Sequence, residues 1–452
     1  MDSWLTLLPP CISILLAMTT RQVYVAIFTG IMAGSILLAQ TVIGGIADSF
    51  NAIAVTFSSP SSVKSLIFIV MIGAIINVMQ QSGGVEALIH QLSRQRGPVR
   101  TKVSAQLVTF GFGFLMCLEG VGSMMLVGVV GRPLFKQFEI SNERLALVAN
   151  CTGAPLAWLV PFSGAGVFLT SLIASEVEKG MLSEQPASYV LSALPYQFYT
   201  IVILALVPLL ALLKKERLVA NTGETVIVDN ENMKSRVAAH SSATAFYLLV
   251  PIVLLITPIG LITYMTDDIS SAVYLSGFIS LIGSGVYFRA NMVSVEQYID
   301  WCLQGMKNML PAAIILILAF SLSRVSGELG TGKYLATLFA GELPLGLVPV
   351  AIFVLCILIS FSTGSSGATV SIMTSIVVSL AVSTGTSVPL CIAAMISGAV
   401  FGDQSSPISD SVIVASSAAD CPPEKHFATQ LPYTLAVALL SLAFYLVVGL
   451  SA

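Results

Sequence analysis

Apolar runs of roughly 18 residues or more, the length at which a helix covers ~30 Å of hydrocarbon, recur from one end of the sequence to the other. With no water in a bilayer core to satisfy amides and carbonyls, each run must close its own backbone hydrogen bonds, so the chain reads as all-α and polytopic. The composition agrees: 56% of the 452 residues are hydrophobic, 10% are charged, and the mean hydropathy is +0.92. No room is left for a soluble domain. A net charge of −3 with no basic patch gives no support for a nucleic-acid partner. The sequence lacks a phosphate-binding loop, a nucleophile elbow and zinc-ligand spacing, so it reads as neither an ATP-driven pump nor an enzyme. Its start, MDSWLTLLPPCISILLAM, has no basic n-region or cleavage site and reads as a first span. The cysteines lie mostly in apolar runs and read as packing residues.

Uninterrupted spans are expected over Leu5–Met18, Gln22–Leu38, Ser65–Val78, Ser188–Leu213, Ser242–Tyr264, Ser271–Phe288, Asn308–Leu322 and Thr429–Leu450. Four further apolar segments are interrupted: Thr101–Lys136 at EGVGS, Glu143–Leu169 at NCTGAP, Pro344–Val382 at STGSSGAT and Val388–Ser417 at GDQSSPISD. The first and third, roughly 35 to 39 residues each, are awkwardly long for one crossing at ~1.5 Å per residue and suit re-entrant hairpins.

Charge tests that reading, because cytoplasmic loops collect Lys and Arg. With two hairpins and ten crossings, 16 of the 20 basic residues fall on one face, leaving Lys64, Lys179, Arg324 and Lys333 elsewhere. Full crossings scatter them. The expected topology is therefore a multi-pass protein of the cytoplasmic (inner) membrane, with both termini outside. Residues 214–241 form a polar cytoplasmic linker between an N-terminal repeat (1–213) and a C-terminal repeat (242–452). Five crossings per half force the halves into opposite orientation. Inverted repeats with discontinuous helices at the midplane are the architecture of secondary transporters.

Unwound backbone at membrane depth needs a polar companion. A carboxylate, hydroxyls and helix-end carbonyls make an oxygen cage for a hard monovalent cation, and helix N-termini favour anions. GDQSSPISD supplies such groups within nine residues. Asp403 is the expected cation ligand or protonation site, Gln404, Ser405 and Ser406 add neutral oxygens, and Pro407 keeps the backbone open. Asp410 reads as a helix cap or a second titrating group. Apolar flanks place the motif deep, where acids are costly enough to be functional, rather than at the membrane surface as ordinary caps. NCTGAP repeats the build without charge, with Asn150 and Thr152 as ligands, although a plain proline kink also explains it. At the hairpin tip, Ser362, Thr363, Ser365, Ser366 and Gly367 either face the centre or simply permit tight packing. Glu119, at the tip of the other hairpin, is assigned to substrate or proton handling. Arg324 reads as a span-end charge, and His90, His240 and His426 as loop or amphipathic residues.

Three stretches also resemble the NhaC family of sodium/proton antiporters. GDQSSPISDSVIVASSAADCPPEKHFATQLPY matches a signature in which Gly-Asp, Ser-Pro-Ile-Ser-Asp and Gln-Leu-Pro-Tyr recur, and LVGVVGRPLFKQFEISNERLALVANCTGAP and ISFSTGSSGATVSIM are further matches earlier in the chain. The resemblance implies an ion-transporter type fold, cation-coupled exchange with a cation site at Asp403 and its neighbours, and hairpins moving against a fixed scaffold. The chain departs from the family pattern at four places. Glu119-Gly120-Val121 stands where consecutive aspartates and a tyrosine are usual, Asn150 replaces an aspartate, Ala165 replaces a tryptophan, and Gly364 to Thr369 replace a Gly-Thr-Ser-Trp-Gly-Thr pattern. Fewer carboxylates leave fewer proton-exchange sites, and lost bulk leaves room for a larger solute; related transporters carry organic acids or amino acids.

The expected function is secondary active transport, with sodium exchanged for protons at Asp403. The alternative is a sodium-coupled carrier of an amino acid or carboxylate, bordered by Gly367 and Ala165. A passive channel would need a continuous polar pore lining, which the spans lack. Sodium is the expected transported or coupling ion, with no organic cofactor. The lipid bilayer is the expected partner, and the architecture also admits a homodimer.

Overall fold

The computed structural model describes residues 4–20, 22–84, 87, 99–115, 120–213, 244, 246–266, 269–291, 293–331, 334 and 344–451. Glu119 and the linker 214–241 lie outside them. The described residues are helical, with no strand. The first group of helices is α1 (Leu8–Thr20), α2 (Val23–Ala39), α3 (Val42–Thr56) and α4 (Pro60–Gln81). Next come α5 (Lys102–Leu115), α6 (Gly120–Gln137), α7 (Asn142–Thr152), α8 (Ala154–Leu159), α9 (Gly164–Glu178), α10 (Pro186–Ala193) and α11 (Phe198–Leu212). After the linker follow α12 (Phe246–Thr266), α13 (Ile269–Ala290), α14 (Val295–Leu329), α15 (Val348–Thr363) and α16 (Ser366–Thr384). The chain closes with α17 (Val388–Ser405), α18 (Asp410–Ala419) and α19 (Pro423–Ser451). Among the described residues seven helices are long and apolar enough to cross a membrane, or eight if one bent pair counts as a span.

Serine starts many of these helices. The hydroxyls of Ser59, Ser141, Ser163, Ser294, Ser365 and Ser409 accept backbone N–H groups at the starts of α4, α7, α9, α14, α16 and α18. Glycines in the left-handed region stop α14 (Gly330, φ 77°) and α15 (Gly364, φ 68°). Helices α1 to α4 pack with α12 to α14, and the interrupted helices pack with α15 to α19.

Several boundaries differ from the sequence expectation. The NCTGAP break is a single residue, Gly153, because Pro155 falls in the first turn of α8, where its missing N–H costs nothing and helps the helix restart. The longer interruption comes at 160–163, where Val160 is held extended by Pro161. The span expected as continuous over Ser188–Leu213 is bent by 51°. The bend sits at Gln197, which follows the short 3₁₀ turn Leu194–Tyr196. Helix α14 is 35 residues long, about 52 Å at 1.5 Å per residue, and not the short span starting at Asn308. A further helix, α3, lies where no span was expected.

Candidate cation site

The site grows out of three helix ends. Helix α15 stops at Gly364, whose left-handed backbone turns the hairpin. A Cβ there would stand 3.0 Å from the Ile408 carbonyl oxygen and 3.0 Å from Ser409 Cα, so the tip lies directly on the broken stretch. Helix α17 runs through Asp403, Gln404 and Ser405, so these three sit in its last turn. The unwound part is Ser406 to Ser409, with Ser406 extended ahead of Pro407. Gly402 brings α17 against α15: a Cβ would lie 2.6 Å from the Phe361 amide nitrogen.

Asp403 is 7% exposed. Its Oδ2 accepts the Ser366 hydroxyl at 2.7 Å and the Ser366 amide at 3.3 Å. Its Oδ1 accepts the Ser411 hydroxyl at 2.8 Å and the Ser409 hydroxyl. Two helix N-termini, of α16 and α18, thus converge on one carboxylate, a field that favours negative charge. Among the described residues no cationic side chain pairs with Asp403. Trp158 Nε1 donates to Ser366 Oγ at 3.2 Å, and Gln197 Nε2 donates to the Trp158 carbonyl at 3.2 Å. The bend at Gln197 and Trp158 of α8 therefore hold the hydroxyl that faces the acid.

A second network adjoins the first. Gln404 Oε1 accepts the Tyr199 hydroxyl at 2.9 Å, and Gln404 Nε2 donates to Asn150 Oδ1 at 3.3 Å. Asn150 Nδ2 lies 3.3 Å from His426 Nε2. Gln430 Nε2 donates to the Gln404 carbonyl at 2.6 Å, and Ser405 Oγ donates to Thr434 Oγ1 at 2.9 Å. His426, Gln430 and Thr434, one turn apart on α19, thus line the end of α17. Ser406 Oγ, Gln430 Oε1 and His426 Nδ1 are buried without a hydrogen-bond partner among the described residues, a cost that points to a polar companion such as water or an ion.

The residues expected from the sequence divide clearly. Asp403, Ser366, Gln404, Ser405, Ser406 and Asn150 are buried together. Ser365 caps α16 beside them. Ser362 and Thr363 turn back on their own helix, bonding the carbonyls of Leu358 and Ser360. Thr152 does the same to Val148. Asp410 is exposed in the first turn of α18, and Ser409 is the cap of that helix. A Cβ on Gly367 would meet nothing within 4 Å, so open space adjoins Ser366. Sequence reasoning missed Ser409 and Ser411 as ligands of the acid, along with Tyr199, Trp158 and the α19 stripe. The stripe did carry a signal: polar residues at i, i+4 and i+8 in an apolar helix.

No group of three or more His, Cys, Asp or Glu able to hold a metal ion occurs among the described residues. A lone carboxylate with hydroxyls and carbonyls fits a monovalent cation better than a divalent one.

A sequence profile of the Na⁺/H⁺ antiporter family matches residues 168–450. The chain belongs to that family. The resemblance drawn from its motifs is thereby borne out, and with it membrane transport by transmembrane helices. A Haemophilus influenzae protein of uncharacterized function is 27% identical over 98% of this chain and 90% of its own length. A malate-2H⁺/Na⁺-lactate antiporter of Bacillus subtilis is 26% identical over 41% of this chain and 39% of that protein. An arginine/ornithine antiporter of Halobacterium salinarum is 34% identical over 24% of this chain and 23% of that protein. Two solved transporters share the fold. The YdaH transporter of Alcanivorax borkumensis has a TM-score of 0.60 and 17% identity over 89% of this chain and 88% of its own. MtrF of Neisseria gonorrhoeae has a TM-score of 0.63 and 13% identity over 89% and 84%. Membership of the antiporter family and the antiporter relatives make the chain a multi-pass secondary transporter.

Proposed function

We propose that the protein exchanges sodium for protons, with Asp403 as the group for which the two compete. The observation that carries this reading is a buried carboxylate held by four hydroxyl and amide donors, with no basic partner among the described residues. Such an acid is stable when a proton neutralises it or when a cation lies against it, and each form disfavours the other. The hydroxyls of Ser366, Ser409 and Ser411 suit both: they donate to the bare carboxylate and present oxygen to sodium. The buried orphan oxygens of Ser406 and Gln430 offer further neutral ligands beside the break. Alternating exposure of one such site couples the two fluxes.

The charge count supports a cytoplasmic basic face with both termini outside, a cytoplasmic linker over 214–241, and inverted repeats over 1–213 and 242–452. Glu119 remains a second proton-handling candidate in this scheme.

A second reading is a sodium-coupled exchanger of a small organic solute. The open space beside Gly367 favours it, as do the neutral Asn150 next to the centre and relatives named for lactate, malate, arginine and ornithine.

The test is a proteoliposome assay that imposes a sodium gradient and records lumenal pH, with and without amino acids. Sodium entry should drive proton exit in the native protein, and Asp403→Asn should abolish it while the protein stays folded. Sodium-dependent proton flux retained by Asp403→Asn would refute the assignment.

A further inference from the structure

Far from Asp403, a cavity of about 540 Å³ opens among the ends of α3, α9 and α14 and the middle of α16. Helix α16 begins at the Asp403 centre, α9 follows the short helix whose Trp158 donates to Ser366, and both lead to the cavity. To the nearest lining residue, the path from Ser366 to Ser375 is about 14 Å and that from Ser163 to Ser175 about 18 Å at 1.5 Å per residue. The cavity is therefore separate from the carboxylate site.

Its wall is unusual for this chain. Glu176, Glu178, Lys179, Arg324 and Glu328 all line it, in a protein whose charged residues make up only 10%. Lys179 Nζ lies 2.9 Å from Glu176 Oε1, with the two side chains 21% and 2% exposed, and the Ser323 hydroxyl touches both groups. Arg324 Nε lies 2.9 Å from Glu328 Oε1, both half-exposed. Glu178 accepts the Ser59 hydroxyl on its two oxygens at 3.1 and 3.0 Å. On the proposed orientation this is the outer side, where Lys and Arg are scarce. Two of the four basic residues that fall there face this one cavity.

Both signs of charge stand in a space large enough for a solute of several heavy atoms and its water. A simple anion or cation would meet repulsion from one half of the wall. A solute carrying both an ammonium and a carboxylate can exchange partners with the wall, its carboxylate going to the Arg324 fork and its ammonium to the carboxylates of Glu178 and Glu328. We infer that this cavity is a binding site for a small zwitterion of the α-amino acid class, distinct from the Asp403 centre. The inference rests on the chain being a secondary transporter, and not on which ion Asp403 exchanges.

The test uses the purified full chain in detergent at fixed sodium and pH, titrated calorimetrically with each standard amino acid. At least one should bind, and its decarboxylated amine and deaminated acid should fail to compete. Arg324→Gln and Glu178→Gln should each weaken binding about tenfold, the loss of one charge-assisted contact, while Asp403→Asn leaves it unchanged. Ligand-free melting of the variants, at half-exposed or rim positions, should stay within about 3 °C of the native protein. Four results overturn the proposal: no amino acid binding; binding lost in Asp403→Asn but kept in Arg324→Gln; binding unaltered by both wall variants; or binding only of glycerophosphoethanolamine, which would make the cavity a lipid-headgroup site. Because no gradient is involved, failure here leaves sodium/proton exchange at Asp403 untouched.

Discussion

Of the places where this molecule brings helices into backbone contact, two use the closeness differently. Between α4 and α14, Gly73 and Gly305 face one another: a Cβ on Gly73 would lie 2.4 Å from the Gly305 carbonyl oxygen, and one on Gly305 2.2 Å from that of Gly73. The Asn77 amide adds a single hydrogen bond to the Trp301 carbonyl at 2.6 Å. Around Asp403, Gly402 and Gly364 bring a helix end, a hairpin tip and a broken stretch into contact as well, at 2.6 and 3.0 Å. The product there is four donors on one carboxylate. In lipid, where helices gain no hydrophobic attraction for one another, close packing is itself the adhesive, and the α4–α14 seam uses it so. At the centre the same device positions polar groups, and adhesion is secondary.

If that contrast is right, the two places fail in different ways. The largest effect on the fold is expected from Gly305→Leu, which drives a side chain into the α4 backbone. It should cost about 3 kcal/mol, measured as a fall in midpoint of thermal or denaturant unfolding, with any folded remainder still exchanging cations. Ser366→Ala should invert the pattern. Removing the hydroxyl between Trp158 Nε1 and Asp403 should raise the sodium concentration for half-maximal flux about tenfold, as expected for one hydrogen bond to a charged group. Its unfolding midpoint should move far less than that of Gly305→Leu; an equal loss of stability without a change in sodium dependence would make the centre another packing seam. The smallest effect is expected from Asp410→Asn. Its carboxylate is exposed at the start of α18 and touches no part of the site, so sodium dependence should change less than twofold, about 0.4 kcal/mol. A shift as large as that of Ser366→Ala would bring Asp410 back into the mechanism.

The parts legible in the sequence were those set by local chemistry. Apolar length located most spans, and Gly364-Ser365 combine a left-handed stop with a serine cap, so the hairpin turn sits inside the quoted STGSSGAT. The burial of Asp403 was legible because its flanks are apolar over many residues. Proline was harder to read. Pro155 inside a first turn and Pro161 after an extended residue look alike in sequence, yet one restarts a helix and the other ends one. The ligands of Asp403 were only half legible. Ser366 belonged to a suspected tip, but Ser409 and Ser411 looked like ordinary residues of a helix start, and only the docking of α16 against α17 and α18 gives all three a common target. His426 read as unremarkable because its partner, Asn150, is 276 positions away. Glycine seams such as Gly73 with Gly305 are equally silent until the partner helix is in place.

The most direct test of the central claim needs no membrane gradient. Purified protein in weakly buffered solution, at a pH where the acid is protonated, should release about one proton per chain when sodium is added, because the two compete for one carboxylate. Asp403→Asn should release none. No proton release by the native protein, or equal release by Asp403→Asn, would contradict the account.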